Sequence, residues 1–370
     1  MTVCATMASP SPPADRAALL KAFNESRTGV RGLVESGVSS VPAIFLHPDP
    51  YASVPLAPPG VSIPIVDLSL PAPVAAAAVA AAARDWGFFH LVNYHHLDHA
   101  LITSDYPARA LAAIRAFNEL PGPERAKHYA RAPADGGVSY SSNVDLFRSP
   151  SASWRDTMEV ENADPACIPA ACRAELLEWD AQATAVGRAL LGLLSRGLGL
   201  RRDTALEEAS CLEGKVMVCH YYPVCPEPER TMGIVAHTDP GVLVVLAQDG
   251  VGGLQVKHTG DEGRSQWVDV KPVPGALVIN VGDLLQMMSN DEYKSVEHRV
   301  VMNTQEEARV SIALFFNPGK RGDSNFYGPL PELVSPENPA KYRNFTISEF
   351  LETFFSRELA SKVLLEHFKV

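Results

Sequence analysis

The sequence predicts a mainly β protein with flanking helices: a double-stranded β-helix, or jelly-roll, core with an N-terminal helical region and a C-terminal helix. Three observations predict it. Residues 215–316 hold short apolar strands separated by Gly and Pro turns, as a jelly roll requires. Helix-period stretches lie ahead of that series and after it. Along the last strand, 309–316, a charge and a hydroxyl alternate with apolar residues, so one face looks into an interior and the other packs.

The elements follow in chain order. Ser9 to Pro13 reads as a loose tail and Asp15 to Glu25 as a helix, and Leu46 to Gly60, with five prolines, as a linker into the first strand. Ile63 to Leu68 is that strand. The Ala-rich run within Val74 to Trp86 has high helix propensity but only about half the length that spans a bilayer, so it predicts a packed helix. Further helices are expected over Asp105 to Glu119 and Ala171 to Leu198. Val242 to Ala247, Gly253 to Val256, Trp267 to Val270 and Ala276 to Val281 fill the middle of the strand series. Beyond Pro318 a loop leads to a last amphipathic helix capped by Ser348 and carrying Phe350, Phe354, Leu359, Val363 and Leu364. The regions so defined are 1–60, a helix and linker; 61–205, an α/β region; 206–318, the jelly roll; and 319–370, the C-terminal loop and helix.

The chemistry concentrates in His237-Thr238-Asp239, His298 and Arg309-Val310-Ser311. If a strand ends at Val235 to Asp239, His237 and Asp239 project from one face, and a strand over Val296 to Val300 supplies His298. Two imidazoles and one carboxylate form a facial triad that leaves the opposite positions of an octahedral metal open, as non-haem Fe(II) oxygenases need. A His-x-Asp triplet by itself arises by chance in roughly every second chain of this length. Its weight comes from the order in which His298 and Arg309-x-Ser311 follow it.

Arg309, Ser311, Ala313 and Phe315 share one strand face; Val310, Ile312, Leu314 and Phe316 share the other. A buried guanidinium needs a carboxylate, from a protein Asp or Glu or from a bound molecule, and its planar fork suits bidentate capture. Fe(II) with one Asp keeps a single positive charge. A 2-oxo acid chelating through carboxylate and keto oxygen neutralises it, and a second, distal carboxylate pairs with Arg309 and Ser311. That molecule is 2-oxoglutarate.

Other segments resemble the plant soluble 2-oxoglutarate/Fe(II)-dependent dioxygenases over most of the chain. Ile63-Pro64-Ile65-Val66-Asp67-Leu68 resembles the family's opening strand, Asp85-Trp86-Gly87-Phe88-Phe89 its helix-to-strand motif, Phe117 to Lys127 the segment closing on Pro123-x-x-x-Lys127, and His220-Tyr221-Tyr222-Pro223-Val224-Cys225-Pro226 the motif one strand before the metal site. The resemblance implies Fe(II) as metal, 2-oxoglutarate and O2 as co-substrates, stimulation by ascorbate, and a Tyr222 hydrogen bond to 2-oxoglutarate. Two departures stand out. His220 replaces an Asn that touches the co-substrate in many members, so it either does the same or orients a neighbouring group. Asn93-Tyr94-His95-His96 replaces the usual Asn-His-Gly; His95 and His96 read as turn or surface residues rather than ligands.

Gly29-Val30-Arg31-Gly32-Leu33-Val34-Glu35-Ser36-Gly37 and Val41-Pro42-Ala43-Ile44-Phe45 resemble the leader of the 1-aminocyclopropane-1-carboxylate oxidase homologues. Within that branch the chain is similar to dioxygenases hydroxylating benzoxazinoid glucosides such as DIBOA-glucoside, which implies an aromatic or heterocyclic, glucosylated small-molecule substrate. The alternatives are an ethylene-forming aminocyclopropanecarboxylate oxidase and a catalytically silent ligand-binding protein on the same fold.

Composition sets compatible bounds. At 370 residues and 46% hydrophobic, the chain can bury a large core. A formal charge of -11 disfavours nucleic acid and anionic membranes as partners. Six cysteines without Cys-x-x-Cys pairs or a secretory leader suggest thiols in the cytoplasm, where Fe(II) also persists. The substrate wall is expected from Phe315, facing inward on the arginine strand, with Phe147 and Tyr140 opposite. Ser139 to Asn143, polar enough to meet a sugar, reads as a loop.

Overall fold

The computed structural model describes residues 13–48, 54–97, 102–132, 137–143, 146–260, 263–302, 306–319, 325–356 and 363–370. The expected tail ahead of Pro13, Cys4, residues 49–53 of the linker and Leu359 lie outside them. Helices α1 (Pro13–Ser26) and α2 (Gly29–Glu35) lead into β1 (Ile65–Asp67), α3 (Ala72–Asp85), β2 (Phe88–Val92), α4 (Tyr106–Asn118) and α5 (Gly122–Ala126). Then come β3 (Val138–Ser141), β4 (Asp156–Val160), α6 (Arg173–Gly197) and the short α7 (Ala205–Glu208). The strand series holds β5 (Gly214–Tyr222), β6 (Met232–His237), β7 (Leu243–Gln248), β8 (Leu254–Thr259), β9 (Ser265–Asp269) and β10 (Leu277–Val281). After α8 (Asp283–Met288) it ends in β11 (His298–Val301) and β12 (Arg309–Asn317); β13 (Phe326–Tyr327), β14 (Phe345–Thr346), α9 (Ile347–Phe355) and α10 (Val363–Phe368) follow.

Two sheets face one another. The larger runs β1-β2-β10-β7-β12-β5-β4-β3 and the smaller β6-β11-β8-β9, antiparallel apart from the β1–β2 pair, so the expected double-stranded β-helix is present. The larger sheet draws strands from both sides of residue 206. Gly233 on β6 shows how closely the sheets approach, since a Cβ there would lie 2.9 Å from the Tyr222 ring on β5.

Register decides which side chains meet the core and which the interior. Tyr140, Met158, Cys219, Ile312 and Ala247 are mutual neighbours across five strands, all buried on the outer face in one cluster with α3, α4 and α6. One pleat along, Ser141, Thr157, His220, Ser311 and Gln248 make a polar row on the inner face. Helix α6 supplies much of the outer cover through Leu176, Trp179, Val186, Leu190, Leu191 and Leu194, each of the aliphatic ones contributing about 1.5–3 kcal/mol. It passes close to β12 at Gly187, where a Cβ would fall 2.6 Å from the Phe316 ring.

The leader is latched to the barrel by one carboxylate. Asp156 at the start of β4 accepts the Val30 and Arg31 backbone N–H groups at 2.8 Å each, and the Ser142 hydroxyl. These are orphan donors of the first turn of α2. Gly29 adopts φ +68, and a Cβ there would sit 2.6 Å from the Asp156 carboxylate, so only glycine fits. Glu35 then takes the buried Arg125 guanidinium bidentately at 2.5 and 3.0 Å.

Several expectations need correction. Ser139 to Ser141 is strand β3 rather than a loop, and it pairs with a β4 that the sequence reading lacked. The linker is not free along its length: Ala57 donates to the Trp267 carbonyl and Trp267 to that of Pro55, at 2.8 and 2.9 Å, covering the edge of β9. The last helix is two helices, and Thr346, not Ser348, caps the first by accepting the Glu349 N–H at 3.2 Å.

Candidate metal centre and co-substrate site

His237, the last residue of β6, pairs in register with His298, the first of β11, so adjacent strands deliver both imidazoles to one place. Asp239 lies just past the strand end. The ligand atoms of the three lie within 4.8 Å of one another, with His237 Nε2 3.6 Å and His298 Nε2 3.5 Å from the Asp239 carboxylate oxygens. Both rings are oriented from behind: His237 Nδ1 lies 2.9 Å from the Val235 carbonyl and His298 Nδ1 3.3 Å from that of Val296. Those carbonyls only accept, so each Nδ1 carries the proton and each Nε2 lone pair is free for a metal.

Asp239 is held equally firmly. The Asn280 amide donates to its Oδ2 at 2.7 Å, its backbone carbonyl accepts the Asp283 N–H at 2.8 Å, and Thr238 donates to the Asp283 carboxylate at 2.9 Å. Burial, followed by the neighbouring His298 imidazole, pushes His237 down to about 4. It is therefore neutral at pH 7, as a metal ligand must be.

Arg309 is 1% exposed. It donates to Ser311 Oγ and to Gln248 Oε1, both at 3.0 Å, while its Nε meets no acceptor. Among the described residues no Asp or Glu forms an ion pair with it; Asp249, the nearby acid, binds Arg115 at 3.1 Å and the Val310 N–H instead. The guanidinium lies 4.9 Å above the Tyr222 ring, whose hydroxyl points to Ser311 and Arg309. A forked cation with an orphaned N–H and two hydroxyls beside it fits a carboxylate from outside the chain. The donor set thus fits both Fe(II) and a 2-oxo diacid.

His220 stands in the inner row between Thr157 and Ser311, its Nδ1 3.0 Å from Thr157 Oγ1 and outside the triad. Burial, then the Arg155 and Arg309 charges, holds its pKa well below the ordinary histidine value. The ring is a neutral polar group beside Tyr222, 5.7 Å between centroids.

The three residues expected in the substrate wall separate. Phe315 is half-buried on the inner face of β12, while Val310, Ile312, Leu314 and Phe316 are in the outer core. Phe147 is 56% exposed, with the Arg131 guanidinium 5.3 Å over its ring. Tyr140 belongs elsewhere: it is 2% exposed, edge-on to Phe117 at 4.9 Å, and bonds Asn118 at 3.2 Å on the helix side of the sheet. The register of β3 against β4 turns it outward. His95 and His96 lie on a turn opened by Asn93 at φ 55, with no place in the triad.

Gln248, Asn280 and Arg155 are site residues that sequence reasoning missed. Arg155, just ahead of β4, is buried and donates to the Gly233 carbonyl on β6 at 2.8 Å. Asn280 carried a usable signal, a lone amide in the apolar run Leu277 to Val281. The five cysteines among the described residues are free thiols, and no described helix is long and apolar enough to cross a membrane.

Comparison with known proteins gives a consistent assignment. Residues 213–318 match the 2OG-Fe(II) oxygenase superfamily, and residues 63–179 a family described as non-haem dioxygenase in morphine synthesis N-terminal. The chain is 42% identical to 1-aminocyclopropane-1-carboxylate oxidase homolog 4 of Arabidopsis thaliana, over 96% of its length and 99% of the relative's. Homolog 1 from the same plant is 40% identical, covering 93% of each chain. Among solved structures, JOX2 in complex with 2OG, Fe and JA superposes with a TM-score of 0.77 at 31% identity, covering 92% of this chain and 97% of that one. The rice dioxygenase for auxin oxidation, at 24% identity and a TM-score of 0.67 over 84% of this chain and all of its own, shares the fold.

Proposed function

The chain belongs to the plant 2-oxoglutarate/Fe(II)-dependent dioxygenases, with the aminocyclopropanecarboxylate oxidase homologues, and on that footing we propose that it hydroxylates an aromatic or heterocyclic specialised metabolite, specifically a benzoxazinoid glucoside such as DIBOA-glucoside. In this proposal His237, Asp239 and His298 hold Fe(II), Arg309, Ser311 and Tyr222 hold 2-oxoglutarate, and the substrate ring packs on Phe315. When bound, iron and 2-oxoglutarate supply an O2-derived oxidant for a substrate C–H bond, with succinate and CO2 released.

The chain's own part is positioning. Val235, Val296 and Asn280 fix the orientations of the three side chains that would hold the iron. Arg309 and Ser311 grip the far carboxylate and thereby place the reacting end at the metal. His220 presents a neutral ring to the co-substrate where many relatives have Asn. Ascorbate is expected to keep the iron reduced, and the free thiols suit a reducing, cytoplasmic setting.

The observation that carries this reading is Arg309: a buried guanidinium on the inner face of β12 with no carboxylate among the described residues paired to it. The test incubates the protein with Fe(II), ascorbate, 2-oxoglutarate and DIBOA-glucoside, recording succinate, ethylene and product mass. Succinate matched to a product one oxygen heavier supports the proposal. Ethylene from aminocyclopropanecarboxylate without 2-oxoglutarate consumption would overturn it in favour of the oxidase, and binding without any turnover would favour a silent protein.

A further inference from the structure

Glu159 projects from the inner face of β4, two positions beyond Thr157 and four beyond Arg155. Its neighbours across the ladder are Ser139 on β3 and Val218 on β5, and Val218 pairs with Ala313 on β12. This row lies one pleat beyond the His220–Ser311 row, away from Arg309 and toward Phe315. The metal residues stand at the same end, since Gly241, two residues past Asp239, lies against the Asn317 side chain at the end of β12. Glu159 is thus on the metal side of the interior, where a substrate must sit.

No hydrogen bond or ion pair meets the Glu159 carboxylate among the described residues. Burial raises its pKa and the Arg155 charge opposes that. Glu159 is half-buried, and its two carboxylate oxygens, which only accept, are open to a donor from a bound molecule. A charge count then limits the ligand. Fe(II) and Arg309 together would balance Asp239 and a 2-oxoglutarate dianion. The other charges felt at Glu159 are those of Arg155, Arg131 and Glu161, so with Glu159 itself two cations stand against two carboxylates and the wall around it has no net charge for an ionic substrate to neutralise.

We infer that Glu159 is a substrate-selecting residue whose carboxylate accepts hydrogen bonds from hydroxyl groups of a neutral, polyhydroxylated substrate such as a glycoside, and that this carboxylate turns away carboxylic acids. The inference rests on the dioxygenase reading above, though not on the identity of the glucoside. Ser139 and Thr157, flanking Glu159 on the inner surface, add hydroxyls to the same wall.

The test divides a plant extract on an anion-exchange resin into neutral and acidic fractions and incubates each with Fe(II), ascorbate, 2-oxoglutarate and either wild type or Glu159→Gln. Wild type is expected to form oxygenated products from the neutral fraction alone. Glu159→Gln should keep the 2-oxoglutarate KM and the substrate-free succinate release, yet turn over neutral substrates at least tenfold less well. Anaerobic calorimetry with DIBOA-glucoside, or with the neutral compound consumed if that glucoside is inert, should show the same tenfold loss in binding. Glu159→Asp should recover part of it. Products from the acidic fraction with wild type, unchanged neutral turnover in Glu159→Gln, or loss of its substrate-free succinate release would each overturn the inference. Wild type that oxidises another neutral compound but not DIBOA-glucoside defeats the glucoside proposal and leaves Glu159 in its role. Wild type that never releases succinate defeats the dioxygenase reading and this inference with it.

Discussion

The two faces of the larger sheet are made by the same strands, yet they solve opposite problems. On the outer face Tyr140, Met158, Cys219, Ile312 and Ala247 bury apolar surface against helices, and the one hydroxyl there has a partner in Asn118. On the inner face Thr157, His220, Ser311 and Gln248 bury polar atoms, and the Nε of Arg309 lacks a partner. Outer residues gain from leaving water, whereas inner residues are desolvated at a cost that their mutual hydrogen bonds offset in part and that leaves the Arg309 Nε for a ligand. The contrast separates residues that hold the fold from residues that wait for a ligand, although the two sets alternate one by one along β12.

That separation can be broken by experiment, beginning with the largest effect. His298→Ala should abolish turnover while circular dichroism and the thermal midpoint of the metal-free protein stay near wild type; full activity would move the third ligand elsewhere. Ile312→Ala, on the outer face of the larger sheet, should do the reverse. It is expected to lose about 2–5 kcal/mol in denaturant unfolding with the 2-oxoglutarate KM unchanged.

Smaller effects sharpen the inner face. Phe315→Ala should weaken substrate binding by about 1–3 kcal/mol and raise succinate formed per product, because a loosely held ring lets the oxidant decay unused. A loss of thermal stability with KM and coupling intact would place Phe315 in the core instead. Arg309→Lys keeps the charge and loses the fork, so the 2-oxoglutarate KM should rise by roughly tenfold, about 1.4 kcal/mol.

The smallest effect is a pH dependence from His220. Its folded pKa is depressed by burial, so below the unfolded value of about 6.5 the unfolded chain takes up a proton that the folded protein does not. Stability present above that pH should be lost as pH falls through it, by up to about 1.4 kcal/mol per unit. Metal-free unfolding at pH 7.5 and 5.5 measures this, and His220→Asn should flatten the difference.

The metal and co-substrate residues were legible because a charge in an apolar strand is costly and so informative: Arg309 announces itself among Val310, Ile312 and Leu314. Asn280 gave the same kind of signal inside Leu277 to Val281. Strands β3 and β4 were not legible, since a strand whose inner face is polar has the composition of a solvated loop. Tyr140 was misplaced for a related reason: which way a strand residue points depends on register with a partner far along the chain. Arg155 and Glu159 became visible as interior groups only once β4 was paired with β5.

The carboxylate of Asp156 beneath α2 has a practical meaning for anyone handling this protein. The leader is not a detachable prefix; cutting the chain ahead of β1 would strand a buried anion with two of its three donors gone. Shortened expression forms should therefore fail as whole proteins rather than lose a tail, and leaders exchanged between relatives should transplant only with the glycine of position 29. Because the residues on either side of Asp156 enter the barrel, such a transplant also offers a handle on selectivity that never touches the pocket.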